Sequence, residues 1–316
     1  MRFFEHANFD FLRQRRKAFA ATGAALVLFL AFGIVHQVTT GSWLRYGVDF
    51  TGGMLVQVRM NEPTTVAELR PVFESRLPGS EITAFGSQDE FLVRAPRAAN
   101  EQAAGAEAIV EALREQYGEG QFEIVRTEAV SAKVGGELQG RALLAVLLSF
   151  ATTLIYLAFR FEWRFGLAAV IATAHDILIT MGLISVLQLE VALPTVAAVL
   201  TILGYSLNDT IIVFDRVREN LGTMRRDDFT RILNRSINET LPRTVLTSGT
   251  TLVTLISLFL FGGSTLRDFA LILIVGIIVG TYSSIFVAAP ALLEIERRWP
   301  GERIKTRTRV RAGASA

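Results

Sequence analysis

FGLAAVIATAHDILITMGLISVL, residues 165–187, decides the fold. The run is long enough to cross a hydrocarbon core about 30 Å thick at roughly 1.5 Å per helical residue. Its only ionisable residues, His175 and Asp176, fall near its middle. A charge at that depth costs about 2.5–3.5 kcal/mol on insertion scales, so such residues face a bundle interior and often mark an ion or proton path. Outward from this run the pattern repeats: residues 191–214 carry Asp209 near their end, and Arg243 opens the run 242–261. The chain reads as a polytopic α-helical membrane protein.

Six spans can be drawn, at residues 18–38, 141–159, 165–187, 191–214, 242–261 and 269–293. Hydrophobic residues make up 51% of the chain, and these runs exceed the 10–14 residues of a buried soluble helix. Cysteine is absent, which excludes disulfides and thiolate metal sites. No stretch resembles a phosphate loop, a metal cluster or a nucleophile triad, so no catalytic, cofactor or metal residues are expected, and any work is not powered by nucleotide bound to this chain.

Lys and Arg next to spans are retained in the cytoplasm. Arg13, Arg15, Arg16 and Lys17 precede span one, Arg160 and Arg164 separate spans two and three, and Arg216, Arg218, Arg225, Arg226, Arg231 and Arg235 separate four and five. Arg297, Arg298, Arg303, Lys305, Arg307, Arg309 and Arg311 follow span six, whereas the opposite short links offer only Arg267. The expected layout is a cytoplasmic segment 1–17, a retained first span 18–38 rather than a cleaved signal peptide, an external domain 39–140, spans two to six over 141–293 and a cytoplasmic tail 294–316. Beside a membrane the basic tail points to anionic lipid and not to nucleic acid.

The external segment alternates in pattern: extended over 54–60, helical over 65–77 with Thr64 as N-cap, strand-like at 81–85 and 90–94, helical over 101–117 and extended over 121–130. The order β-α-β-β-α-β is that of a ferredoxin-like α+β fold. Residues 228–240 place Phe229, Ile232, Leu233 and Ile237 on one face, as in a helix lying on the membrane surface or packing on a partner. Phe3, Phe4, Phe9, Phe11 and Leu12 point to an interfacial N-terminal stretch.

Asp209 and Arg243 come out at comparable depths, with Pro242 as the first helical position and Thr240 or Asn238 as cap. A carboxylate that makes and breaks contact with a fixed guanidinium would load and release a proton, and Asn208 could hydrogen-bond either protonation state. A static ion pair is the alternative. Asp176 and His175 point about 100° apart on a helix and need not share a partner. Asp268 is either a helix cap or a proton entry point. Gly276 and Gly280 form a GxxxG step, continued by Thr281, Ser283 and Ser284, and read as close packing or a sliding interface; the same holds for Gly249, Thr250 and Thr251. Gly52 and Gly53 permit a sharp turn after Asp49.

Four stretches together resemble the SecF family of the bacterial protein-export machinery: GVDFTGG at 47–53, GYSLNDTIIVFDRVREN at 204–220, RTVLTSGTTL at 243–252 and GTYSSIF at 280–286. The resemblance implies a six-helix half-module of the resistance-nodulation-division superfamily in the bacterial inner membrane, its soluble domain in the periplasm. The implied partners are SecD, the Sec channel SecYEG and the exported unfolded polypeptide. It implies proton flow coupled to late steps of export, with proton-transport roles falling on Asp209 and Arg243 and, through a less distinctive match, on Asp268. Two alternatives stay open: a small-molecule or lipid exporter of the same superfamily, and a non-conducting scaffold of the translocon.

Overall fold

The computed structural model describes residues 8–74, 77, 80–85, 89–95, 104–130, 132–224 and 227–300. Phe3, Phe4, Arg225, Arg226 and the basic residues from Arg303 to Arg311 lie outside the described residues, as does the start of the expected helix at 101–103. Among the described residues, six helices are long and apolar enough to cross a membrane. They are α1 (Arg15–Thr40), α5 (Ala132–Arg160), α6 (Trp163–Val186), α7 (Leu193–Thr223), α8 (Phe229–Phe261) and α9 (Gly263–Ser283), the last continued through a π turn, Ser284–Ala288, into α10 (Ala289–Arg298). The π turn sits just ahead of Pro290, which has no N–H for the regular helical ladder.

Between α1 and α5 lies the small α+β domain. Its elements are β1 (Arg45–Tyr46), α2 (Val48–Thr51), β2 (Gly53–Met60), α3 (Val66–Glu74), β3 (Glu81–Ala84), β4 (Glu90–Ala95), α4 (Ala104–Tyr117) and β5 (Phe122–Val130). The antiparallel sheet runs β3-β4-β2-β5, the ferredoxin-like order. Alternation sends Met54, Val56, Val58, Phe91 and Val93 to one face, where Leu69 and Phe73 of α3 and Ile109 and Leu113 of α4 cover them. The other face carries Gln57 and Arg59, both bonded to Glu90. β1 leaves this sheet and pairs in parallel with β6 (Glu190–Val191), in the link between α6 and α7.

Two local expectations are corrected. The cap of α3 is Thr65, not Thr64: Thr65 N–H donates to Glu68 Oε2 at 2.9 Å while Thr65 Oγ1 accepts from Glu68 N, a capping box that needs the T-x-x-E spacing only Thr65 has. Residues 228–240 do not form a separate surface helix. Asp228 caps α8, Pro242 lies within it, and Ile232, Leu233, Ile237 and Leu241 are buried in the bundle core, which holds the helix straight through the proline. Thr240 and Asn238 therefore cap nothing; Thr240 Oγ1 donates to Ser236 O within the helix.

The bundle is tied at both ends. Far from the α+β domain, Arg160 meets Asp215 at 2.8 Å, Arg164 meets buried Glu296 at 3.0 Å, and Asn220 donates to Ser236 and Glu239. Residues 9–12 dock here: Asn234 and Asn238 bond both backbone groups of Phe9, Asn234 also accepts from Phe11 N, and Leu12 is fully buried.

In the middle, α7 and α9 approach closely. A Cβ on Gly276 would strike Ile202, and one on Gly280 would lie 2.9 Å from Ser206 Cβ. Gly276→Val should therefore destabilise the protein by about 1–3 kcal/mol through overpacking. Ile202→Ala should recover a measurable part of the loss, as coupled neighbours do. Thermal unfolding in detergent reads both; equal and additive losses would show that the helices do not pack at this step.

Candidate functional site

Membrane-spanning helices leave their ionisable side chains no water, so the groups around each carboxylate set what it can do. Asp176 of α6 is 1% exposed and has three donors. His175 Nδ1 lies 2.7 Å from Oδ1, and Oδ2 accepts from Ser206 Oγ of α7 and, at 2.7 Å, from Ser283 Oγ of α9. The adjacent His175 and Asp176 are thus in contact, both buried in the bundle. Ser206 and Ser283 come within reach only because Gly280 lets α9 sit against Ser206. One carboxylate joins three helices.

Asp209, three residues after Ser206 on α7, is equally buried at 1% but differently surrounded. Oδ2 has one long contact, 3.5 Å from Ser248 Oγ of α8, and Ser248 in turn lies 2.7 Å from Thr281 Oγ1 of α9. Oδ1 is buried with no donor among the described residues, and so is Thr244 Oγ1, one turn before Ser248 on α8. An oxygen left bare in a place where hydroxyls could reach it can accept a proton without displacing an existing bond.

The expected Asp209–Arg243 contact is not made: no ion pair within 4.0 Å joins them, although the guanidinium acts on Asp209 through space. Because α8 runs unbroken through Pro242, Leu241, Thr244 and Ser248 take the buried face and Arg243 is turned outward, exposed. Asn208 is exposed as well. Around them α7 and α8 present Thr201, Gly204, Thr250, Thr254 and Ser257, all exposed. Large apolar side chains are exposed here too, among them Leu246, Val253 and Leu260 of α8, as Leu143, Leu144, Leu147, Leu148 and Phe159 are on α5, but Arg243 and Asn208 lie among those of α7 and α8.

Asp268 stands apart from the others. It lies at the start of α9, thirteen positions before Thr281, or about 20 Å along the helix. Its electrostatic neighbours are Arg267 and Arg45, beside the α+β domain. It caps no helix: α9 begins at Gly263. Asp49 accepts from the backbone of Leu193, and Gly52 and Gly53 take φ of 71° and 118° in the turn into β2.

Sequence reasoning missed Ser206, Ser248 and Ser283 as partners of the carboxylates. The signal for Ser283 was the small-residue run on α9, read for packing and not for hydroxyl supply.

Comparison with known proteins gives a consistent result. The family model "Protein export membrane protein SecD/SecF, C-terminal" matches residues 109–298, and the "SecD/SecF GG Motif" model matches residues 39–64. The chain is 46% identical to the protein translocase subunit SecF of Gemmatimonas aurantiaca, over 100% of this chain and 96% of that one. It is 40% identical to the protein translocase subunit SecDF of Thermus thermophilus, covering 92% of this chain but 39% of that longer one. The crystal structure of SecDF, described as a translocon-associated membrane protein, from Thermus thermophilus superposes with a TM-score of 0.82 at 38% identity, over 94% of this chain and 40% of that one. This chain belongs to the SecD/SecF family of protein export membrane proteins, among its SecF translocase subunits.

Proposed function

We propose that this protein couples proton motive force to late steps of protein export through the Sec channel, working as one half of a unit whose other half is SecD. The observation that carries the reading is Asp209: a carboxylate in mid-bundle with one oxygen undonated and the other weakly held. Asp209 is the group that loads and releases the proton. Arg243, close enough to act on it but not paired, is a fixed charge whose approach would favour release. Each proton driven through gains about 2.3 kcal/mol per 100 mV. Asp176, with its donors already in place, holds α7 and α9 in register around the relay, and Asp268 serves at the opposite end of the bundle.

The polar face of α7 and α8 supports the partnership. Arg243 and Asn208 would be costly against lipid, so a second half-module covers them. A relative in which SecD and SecF share one chain supports the same pairing. The excess of Arg and Lys at the end of the bundle holding Arg15, Arg164 and Arg297 supports cytoplasmic termini, contact with anionic lipid there, and a periplasmic α+β domain placed to meet the emerging unfolded polypeptide.

In cells carrying Asp209→Asn or Arg243→Met at normal membrane abundance, the potential-dependent part of secretion of a reporter protein should fall by an order of magnitude or more. Undiminished secretion would leave a scaffold role and overturn the relay. For the partner face, Thr250→Cys in this cysteine-free chain should crosslink to a cysteine scanned along the SecD spans, while Leu147→Cys on α5 should not. Equal crosslinking of both would place SecD elsewhere.

A further inference from the structure

The GVDFTGG stretch is not only a turn. α7 begins with Ala192 at its N-cap position, and alanine has no side-chain acceptor. Of the first-turn donors, Pro194 has no N–H, while Thr195 N and Val196 N both reach Ala192 O, at 3.0 and 3.3 Å. The N–H left over is that of Leu193, and Asp49 Oδ2 accepts it at 2.9 Å from 144 positions away. A carboxylate at a helix N-terminus is favoured by the helix dipole as well as by the hydrogen bond. Ala192 N is met from within α7 by Thr195 Oγ1 at 3.2 Å, while the acceptor for Leu193 N is supplied by another part of the chain.

Further contacts fasten the same place. Gly47 N donates to Val191 O at 2.9 Å, extending the β1–β6 pairing. A side chain on Gly47 would collide with Glu190 and Ala192, and a Cβ on Gly135 of α5 would lie 2.9 Å from Phe50 O. From Asp49 the chain passes through Gly52 and Gly53 straight into β2, the central strand that pairs with both β4 and β5. On the sheet face turned away from α3 and α4, Arg94 of β4 binds Glu190 at 2.8 Å and Tyr46 O at 3.3 Å, and Arg45 donates to Thr83 of β3 at 3.2 Å. The central strand of the soluble domain is thus clamped to the first turn of α7. Sixteen residues further along that helix, about 24 Å away, stands Asp209.

We propose that Asp49 is a positioning residue that couples the relay to the α+β domain: movement of α7 as Asp209 gains or loses its proton is delivered through the Leu193 cap to β2, with Arg94–Glu190 as the second tie. The inference rests on the relay reading of Asp209. It assigns Asp49 no proton of its own.

The test uses the full chain with its SecD partner in lipid vesicles, spin-labelled at Glu62→Cys beyond β2 and Leu178→Cys on α6. Asp209→Asn, standing for the protonated relay, should shift the distance distribution between the labels. Asp49→Ala should abolish most of that shift, Asp49→Asn should keep it because an oxygen acceptor remains, and Arg94→Gln should reduce it. A shift that persists at full size in Asp49→Ala overturns the proposal, and so does the absence of any shift with Asp209→Asn. If Asp49→Ala does not fold, Asp49→Ser and Glu190→Gln give the same comparison. Proton uptake by the vesicles under an imposed potential is followed in parallel: uptake unchanged by Asp209→Asn would sink the relay reading, while uptake lost by Asp209→Asn yet retained in Asp49→Ala separates coupling from conduction.

Discussion

Three transmembrane helices converge on one carboxylate, and the rest of the bundle is arranged around that fact. A charged group in hydrocarbon persists only if protein supplies what water would have supplied. Asp176 is supplied by its own neighbour His175 on α6, by Ser206 on α7 and by Ser283 on α9. Removing one donor would leave a buried oxygen less satisfied, at a cost of about 1–3 kcal/mol. The close approach of α7 and α9 at Gly276 and Gly280 is the steric condition for it, since any larger residue at 280 would push Ser206 away from Asp176.

The contrast with Asp209 is what makes a transport reading physical. The two aspartates are equally buried, yet one is saturated with donors and the other has an empty oxygen. Ser248 and Thr281, bonded to each other at 2.7 Å, can exchange that bond for one to Asp209 at little cost, since hydroxyls rotate freely. Ser206, which holds Asp176, and Asp209 itself thus sit about one helical turn apart on α7, the first carboxylate with three side-chain partners and the second with one.

Much of this was legible in the sequence. Apolar runs with isolated charges gave the six spans, and alternation gave the order of the α+β domain. What could not be read was which groups meet across helices. Pro242 reads locally as a helix start, but the burial of Ile232, Leu233, Ile237 and Leu241 carries α8 through it, and that continuity turns Arg243 to the outside. A serine's side chain has the same appearance in sequence whether it bonds its own helix, as Ser236 does, or a carboxylate on another, as Ser283 does. The cap on α7 was invisible for the same reason: an alanine at the cap position signals a weak start, and nothing local says that Asp49 supplies the acceptor.

That missing cap bears on how a helix bundle can drive a soluble domain at all. A helix capped by its own residue is self-contained, and can shift without telling its surroundings. A helix whose first donor is satisfied by another segment cannot move independently of it without breaking that hydrogen bond, a net loss of about 0.5–1.5 kcal/mol. α7 is of the second kind at its domain end and carries the bare carboxylate toward its other end. Because helices transmit axial displacement with little compression, the two ends are mechanically one object. Borrowing the acceptor from GVDFTGG makes the soluble domain part of that object, which a cap drawn from α7 itself would not.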